Sequence, residues 1–339
     1  MKKSIKILAL LIITALLLEV AFRLYNKANP TFIFSDKSYN RFRGKPFSKD
    51  YNFTLNSKGF KDIEYAKVKP QGVYRILGIG DSFVFGVVPY QYNFLTILEE
   101  KLNRNNKKIE LINMGIPSIG VDSYYSLIVN EGLELNPDFI ICCFAIGNDF
   151  VDRKPEKSNL YLFSFLKYLF KIIPYYKGNI IHGDIEYHDD KPSFSLDKFM
   201  EIVWIRGWMF FKDSERFKKQ LFLQNNYACS YIKKIKDMCD YKNIKLLVVI
   251  IPEELQIDSE LQKGFRSRFK DLDLEDFDFG FPNKLLCSQL KRLDIAYIDL
   301  LNDFSIASTN KRYYKPNDTH WNIAGNKLAS DLIYEKIRW

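Results

Sequence analysis

The sequence predicts an α/β protein built on a doubly wound parallel sheet, and three observations predict it. Short continuous apolar runs recur along the chain, turn residues bound them, and amphipathic stretches of helical length separate them. Strands of a sheet covered by helices on both faces read as unbroken hydrophobic runs, because neither face meets water. The five runs are Tyr74 to Gly80, Ile109 to Gly115, Asp138 to Gly147, Lys245 to Pro252 and Ala296 to Leu300. Helices are expected at Tyr92 to Asn105, Asp122 to Leu135, Asn225 to Cys239, Asn283 to Arg292 and Ile323 to Lys336.

Taken from the N-terminus, three lysines within Met1 to Lys6 precede an apolar stretch, Ile7 to Phe22, interrupted by Glu19 and closed by Arg23. Sixteen helical residues reach about 24 Å, and snorkelling Lys6 and Arg23 extend that toward the ~30 Å hydrocarbon core. No small-x-small cleavage site follows. Residues 1–28 therefore read as an uncleaved membrane anchor with its lysines inside and the remaining chain exported. A cleaved signal peptide would place the chain in the same compartment. Residues 29–72 are polar and aperiodic, a linker expected to wrap onto the domain formed by 73–339. Within that domain, 150–216 breaks the strand-helix rhythm after the third strand with an aromatic-rich insertion, including Leu160 to Ile173. It reads as a cap over the site, a patch on the membrane surface or a packed helical excursion.

With 339 residues, 47% hydrophobic and 27% charged, the chain lies outside the disordered, collagenous and low-complexity classes. Its net charge of +9 is spread along the whole length. Without a basic run, nucleic acid is not an expected partner, and the charge suits an anionic envelope surface. Five cysteines are too few for a disulfide scaffold, and Cys142 and Cys143 lie in the third apolar run. No disulfide, zinc site or cofactor is expected. The polar turn holding His182, Asp184, His188, Asp189 and Asp190 lacks the helical histidine spacing of a zinc hydrolase and reads as a solvated loop.

In a doubly wound sheet, ligands bind beyond the carboxyl ends of the strands. The first strand ends in Gly80-Asp81-Ser82, the second in Asn113-Met-Gly115 followed by Ser118 and Gly120, and the third in Gly147-Asn148-Asp149. After the fifth comes Asp318-Thr319-His320-Trp321. A serine hydroxyl must lose its proton to attack a carbonyl, and a neutral imidazole held by a carboxylate can take it. Ser82 is thus the expected nucleophile, His320 the base and Asp318 its orienting carboxylate. The oxyanion would be met by the Ser82 backbone N–H, an N–H at Ser118 or Gly120, and the Asn148 side chain. Each element alone could be a helix cap or turn residue; their joint placement at strand ends selects the catalytic reading.

These blocks resemble the SGNH or GDSL hydrolases over roughly Tyr74 to Trp339, leaving out the insertion. The resemblance implies a three-layer flavodoxin-like fold, metal-free ester hydrolysis or acyl transfer, and the serine, glycine, asparagine and histidine roles above. Gly80, Asp81, Asn113, Gly115, Gly147 and Asp149 fall in its supporting positions. Two departures stand out: Phe83 follows Ser82 where the family name has leucine, and Ser118 occupies the expected oxyanion-hole glycine. The Asp-x-His-Trp form is similar to SGNH proteins that handle O-acetyl groups on envelope polysaccharides. The expected activity is a membrane-anchored extracytoplasmic serine esterase or acyltransferase acting on a glycan ester. The alternatives are a lipid esterase and a catalytically silent glycan-binding or scaffold protein.

Overall fold

The computed structural model describes residues 2–104, 108–150, 160–172, 175–212, 215–269, 276–309 and 311–337. The expected limits at Asn105, Ile173 and Trp339, and residues 151–159 of the insertion, lie outside the described residues. The chain opens with helix α1 (Lys2–Ala28) and a small antiparallel ladder of β1 (Lys49–Asp50) and β2 (Phe53–Thr54). The domain proper runs β3 (Tyr74–Ile79), α2 (Ser82–Phe85), α3 (Phe94–Leu102), β4 (Ile109–Asn113), α4 (Val121–Leu127), β5 (Phe139–Ala145) and α5 (Ile146–Asp149). Helices α6 (Tyr161–Leu169) and α7 (Leu196–Gly207) follow, then the long α8 (Glu215–Lys242) leading to β6 (Lys245–Ile251). The C-terminal part holds α9 (Glu254–Ile257), α10 (Ser259–Arg266), α11 (Phe281–Arg292), β7 (Ala296–Asp299), α12 (Leu301–Ala307) and α13 (Ile323–Lys336).

The five apolar runs form one parallel sheet of order β4-β3-β5-β6-β7. Its connections depart in opposite directions from β3 and β5, so the switch point lies between these two strands. Alternation along each strand divides the core. Ile76, Ile141, Cys143 and Val249 face the layer of α3, α12 and α13; Leu77, Ile140, Cys142 and Val248 face α4, α7, α8 and α11. The adjacent Cys142 and Cys143 therefore point into different layers, and both are free thiols. Register aligns the strand ends: Gly78 pairs with Asn113 and Ile79 with Cys142, which puts the loops after β3, β4 and β5 on one rim.

Helix α1 is long and apolar enough to cross a membrane, with a mean hydropathy of 2.5 over its best 18 residues and none of that window buried. Its one internal acid is neutralised locally. Glu19 pairs with Arg23 at 2.6 Å and accepts the backbone N–H of Leu162 in the first turn of α6. Phe22 packs on Phe165 at 4.8 Å, and Arg23 lies over the Tyr161 ring at 4.8 Å. The aromatic helix of the insertion thus leans on the end of α1 rather than on the rim. Residues 29–72 lie along the domain and bury Tyr39, Asp50, Phe60, Lys61 and Asp62.

Candidate active site

Four loops converge on the rim. Asp81 caps α2 by accepting the Phe83 N–H at 2.9 Å, which sets Ser82 at the first helical position, where its own N–H has no intrahelical acceptor. Of the glycines expected to support the site, Gly115 is packed against backbone and Gly147 against the end of a side chain. A Cβ on Gly115 would lie 2.1 Å from the Phe85 nitrogen, and one on Gly147 would lie 1.8 Å from a Glu253 carboxylate oxygen. Asn113 braces the Ser82 turn from behind: its side-chain amide donates to the Val84 carbonyl at 2.7 Å, while its side-chain oxygen accepts the Gly115 N–H at 2.9 Å.

Ser82 Oγ lies 2.7 Å from His320 Nε2, and His320 Nδ1 lies 2.6 Å from Asp318 Oδ1. Asp318 is almost completely buried, accepts the His320 backbone N–H at 3.1 Å, and is also bonded by the Ser193 hydroxyl. Burial works to raise its pKa, yet the His320 ring and these hydrogen bonds outweigh it and hold the carboxyl below the usual aspartate value. The loop that presents the pair is a narrow turn closed by Lys315 donating to the His320 carbonyl at 3.0 Å, with Asn317 in the left-handed region at φ 46°. Trp321 anchors its far end, buried against Phe83, Phe94 and Phe304.

Asn148, in the short α5 that follows β5, is held from both sides. Its amide donates to Asp81 Oδ2 at 2.5 Å, and its oxygen accepts from Arg206 Nη2 at 2.6 Å. Arg206 comes from α7 and is itself clamped by Glu253 at 3.0 and 3.1 Å. The carboxamide is thereby fixed with its NH2 group toward the serine loop, and one of its two N–H groups remains for a ligand. Of the two second-loop candidates, Ser118 lines the cleft and Gly120 does not: Gly120 is buried as the cap of α4. Ser118 has φ 60°, a left-handed conformation that favours glycine and accounts physically for the glycine expected there. Asp149 turns inward, accepting the Ala145 N–H at 2.9 Å and the Tyr124 hydroxyl at 3.1 Å.

These residues open into a cleft of about 800 Å³. Its far walls come from 181–206 and from Tyr51. Lys315 ties the two sides together by donating to the carbonyls of His188 and Lys191. The insertion therefore has two parts, α6 against α1 and 181–206 over the cleft. Sequence reasoning missed Arg206, Glu253, Ser193 and the cleft position of His182. Glu253 did carry a signal, since it directly follows the fourth apolar run. His182 is no solvated loop residue: its Nδ1 lies 2.9 Å from the buried Asp50. Among the described residues, no group of three His, Cys, Asp or Glu side chains is arranged to hold a metal ion.

Residues 205–339 match the family model described as SGNH hydrolase-like domain, acetyltransferase AlgX. That part begins within the last residues of the insertion and contains Asp318 and His320. Solved structures with similar folds include an acetyl xylan esterase, AlAXEase (14% identity, 78% of this chain and 100% of that one, TM-score 0.44). A lipase/acylhydrolase from Enterococcus faecalis is comparable (13% identity, 78% and 95%, TM-score 0.43). So is a variant of Axe2, an acetylxylan esterase from Geobacillus stearothermophilus (9% identity, 81% and 97%, TM-score 0.44). No curated protein matches the chain.

Proposed function

We propose, from the premise that the chain belongs to the SGNH/GDSL hydrolase family and is an ester hydrolase or acyltransferase, that Ser82, His320 and Asp318 are its catalytic triad and an O-acylated envelope glycan its substrate. The continuous Ser82–His320–Asp318 chain of hydrogen bonds is the observation that carries the catalytic assignment. Ser82 Oγ attacks the acyl carbonyl and passes its proton to His320 Nε2, while Asp318 holds Nδ1–H and steadies the imidazolium. The tetrahedral oxyanion is received by the Ser82 N–H, the Ser118 N–H and the free amide hydrogen of Asn148. His320 returns the proton to the departing alcohol, leaving acyl-Ser82. Water then releases the acid, or an acceptor hydroxyl takes the acyl group; both routes use the same covalent intermediate.

Helix α1 is read as the membrane anchor, with residues 29–337 on the outer side of a bacterial membrane. Support comes from the lysines before the apolar run and from the exposed apolar residues Phe163, Leu169 and Phe170 of the α6 segment beside the end of α1. The glycan reading draws on the polar residues His182, Glu186, His188, Lys191 and Lys315 in walls that also carry the apolar Ile181, Ile185, Phe194, Ile202 and Ile205. The test is hydrolysis of O-acetylated polysaccharide against short- and long-chain acyl esters by the purified protein. Preference for long acyl chains would move the substrate to lipids.

A further inference from the structure

The cleft is lined by a second histidine that a carboxylate holds. His182 Nδ1 lies 2.9 Å from Asp50 Oδ1, and the His182 backbone N–H donates to the same oxygen at 3.2 Å. Asp50 is wholly buried, and its other oxygen pairs with Lys61 Nζ at 2.5 Å. The Lys61 side chain is equally buried and donates to the carbonyls of Gly86 at 2.9 Å and Val88 at 2.6 Å, just beyond the nucleophile helix α2. Two buried ions are costly to desolvate; here they face each other as an ion pair, and the Asp50 oxygen turned away from Lys61 fixes one imidazole. The Tyr51 ring stacks on His182 at 4.5 Å and 12°, and Tyr187 meets Tyr51 edge-on at 5.2 Å. The contact between the two segments is fastened by the backbone, with Tyr51 N–H donating to the Gly183 carbonyl at 2.7 Å. With Nδ1 engaged, Nε2 is the ring atom left for a ligand, and the side chain is 20% exposed.

We propose that His182, oriented by Asp50, is the hydroxyl-binding residue of a second subsite, which takes the alcohol side of the ester, a polyhydroxylated sugar ring, beside the acyl group at Ser82. The inference rests on the esterase reading above and names where the sugar sits. Nε2 accepts a hydrogen bond from a ring hydroxyl, while Tyr187 and Phe194 of the same cleft offer apolar faces to the ring. Proton transfer stays with His320; His182 binds and positions.

The test compares full-length wild type, His182→Ala and His182→Phe in detergent, with 4-nitrophenyl acetate and O-acetylated xylotriose as substrates and fluorophosphonate labelling of Ser82 as a check on the fold. His182→Phe retains a ring to stack on Tyr51, which covers the case in which the alanine variant does not fold. The expected result is that Ser82 still labels and the ratio of kcat/KM for the oligosaccharide to that for the small ester falls at least about tenfold, mostly through KM. A ratio unchanged within about twofold overturns the subsite, whether both rates fall together or neither moves. Wild type that labels at Ser82 but never saturates with xylotriose also overturns it and leaves the nucleophile standing. Wild type that does not label overturns the reading on which both rest.

Discussion

Ser82 and His320 stand 238 positions apart in the chain, and their side chains meet at 2.7 Å. The serine is delivered by the turn after β3 and the histidine by a turn of its own ahead of α13, so the pair forms only when the sheet and its last helix are assembled. Asp318 fixes which imidazole nitrogen faces the serine. Asp318→Asn is expected to lower kcat by ~10³ to 10⁴ with little change in KM, because the amide stabilises the wrong tautomer. Steady-state kinetics on 4-nitrophenyl acetate measure it.

Asn148→Ala is expected to cost ~10² to 10³ in kcat through loss of an oxyanion donor. Arg206→Lys is expected to cost less, about tenfold, because a lysine leaves the carboxamide in place but cannot bind Asn148 and Glu253 together in a fork. An Asn148→Ala rate equal to wild type would remove Asn148 from the oxyanion hole.

Gly115→Ala places a methyl group against backbone atoms of Phe85 and Val84, which have no flexible end to move aside. Overpacking of this kind costs about 1 to 3 kcal/mol and here displaces α2 with its serine. A lowered melting temperature together with lost labelling of Ser82 is the expected outcome; full retention of both would show that the contact is yielding.

The fold and most of the residues gathered on the rim were legible because their signals are local. An apolar run marks a strand, and the residues directly after it mark the rim, so Ser82 and Asn148 could be read without knowing any contact; Asp318 and His320 lie well beyond the fifth run and were read from their own Asp-x-His spacing. His182 and Asp50 lie in segments without a period and Arg206 on a helix of the insertion, and all three matter only through contacts with distant partners. Asp50 meets His182 across 132 positions, which no spacing rule encodes. The choice between Ser118 and Gly120 turned on backbone conformation. Residue type favoured glycine, but Gly120 was consumed in capping α4 and Ser118 took the left-handed turn.

The buried Asp50 carboxyl is pushed up by burial, but His182 and Lys61 together hold it below the ordinary aspartate value. Its contribution to stability is therefore present above pH ~4 and lost as the pH falls through the lower folded value. Asp50→Asn leaves Lys61 unpaired and should destabilise the protein by about 3 to 5 kcal/mol near neutral pH. Urea unfolding from pH 7 down to pH 3 should show the gap between wild type and variant narrowing only below pH ~4.

If α1 anchors the chain, alkaline carbonate leaves the protein in the membrane fraction, and protease added outside the cytoplasmic membrane digests the domain beyond residue 28. Release by carbonate, or protection from the outside protease, would contradict that placement.

The most direct measurement is labelling of the purified full-length chain with a fluorophosphonate probe, followed by mass mapping of the modified residue. A single adduct on Ser82, abolished in His320→Ala and slowed in Asp318→Asn, is the predicted result. An unlabelled Ser82, or labelling that persists unchanged without His320, would contradict the catalytic assignment at its centre.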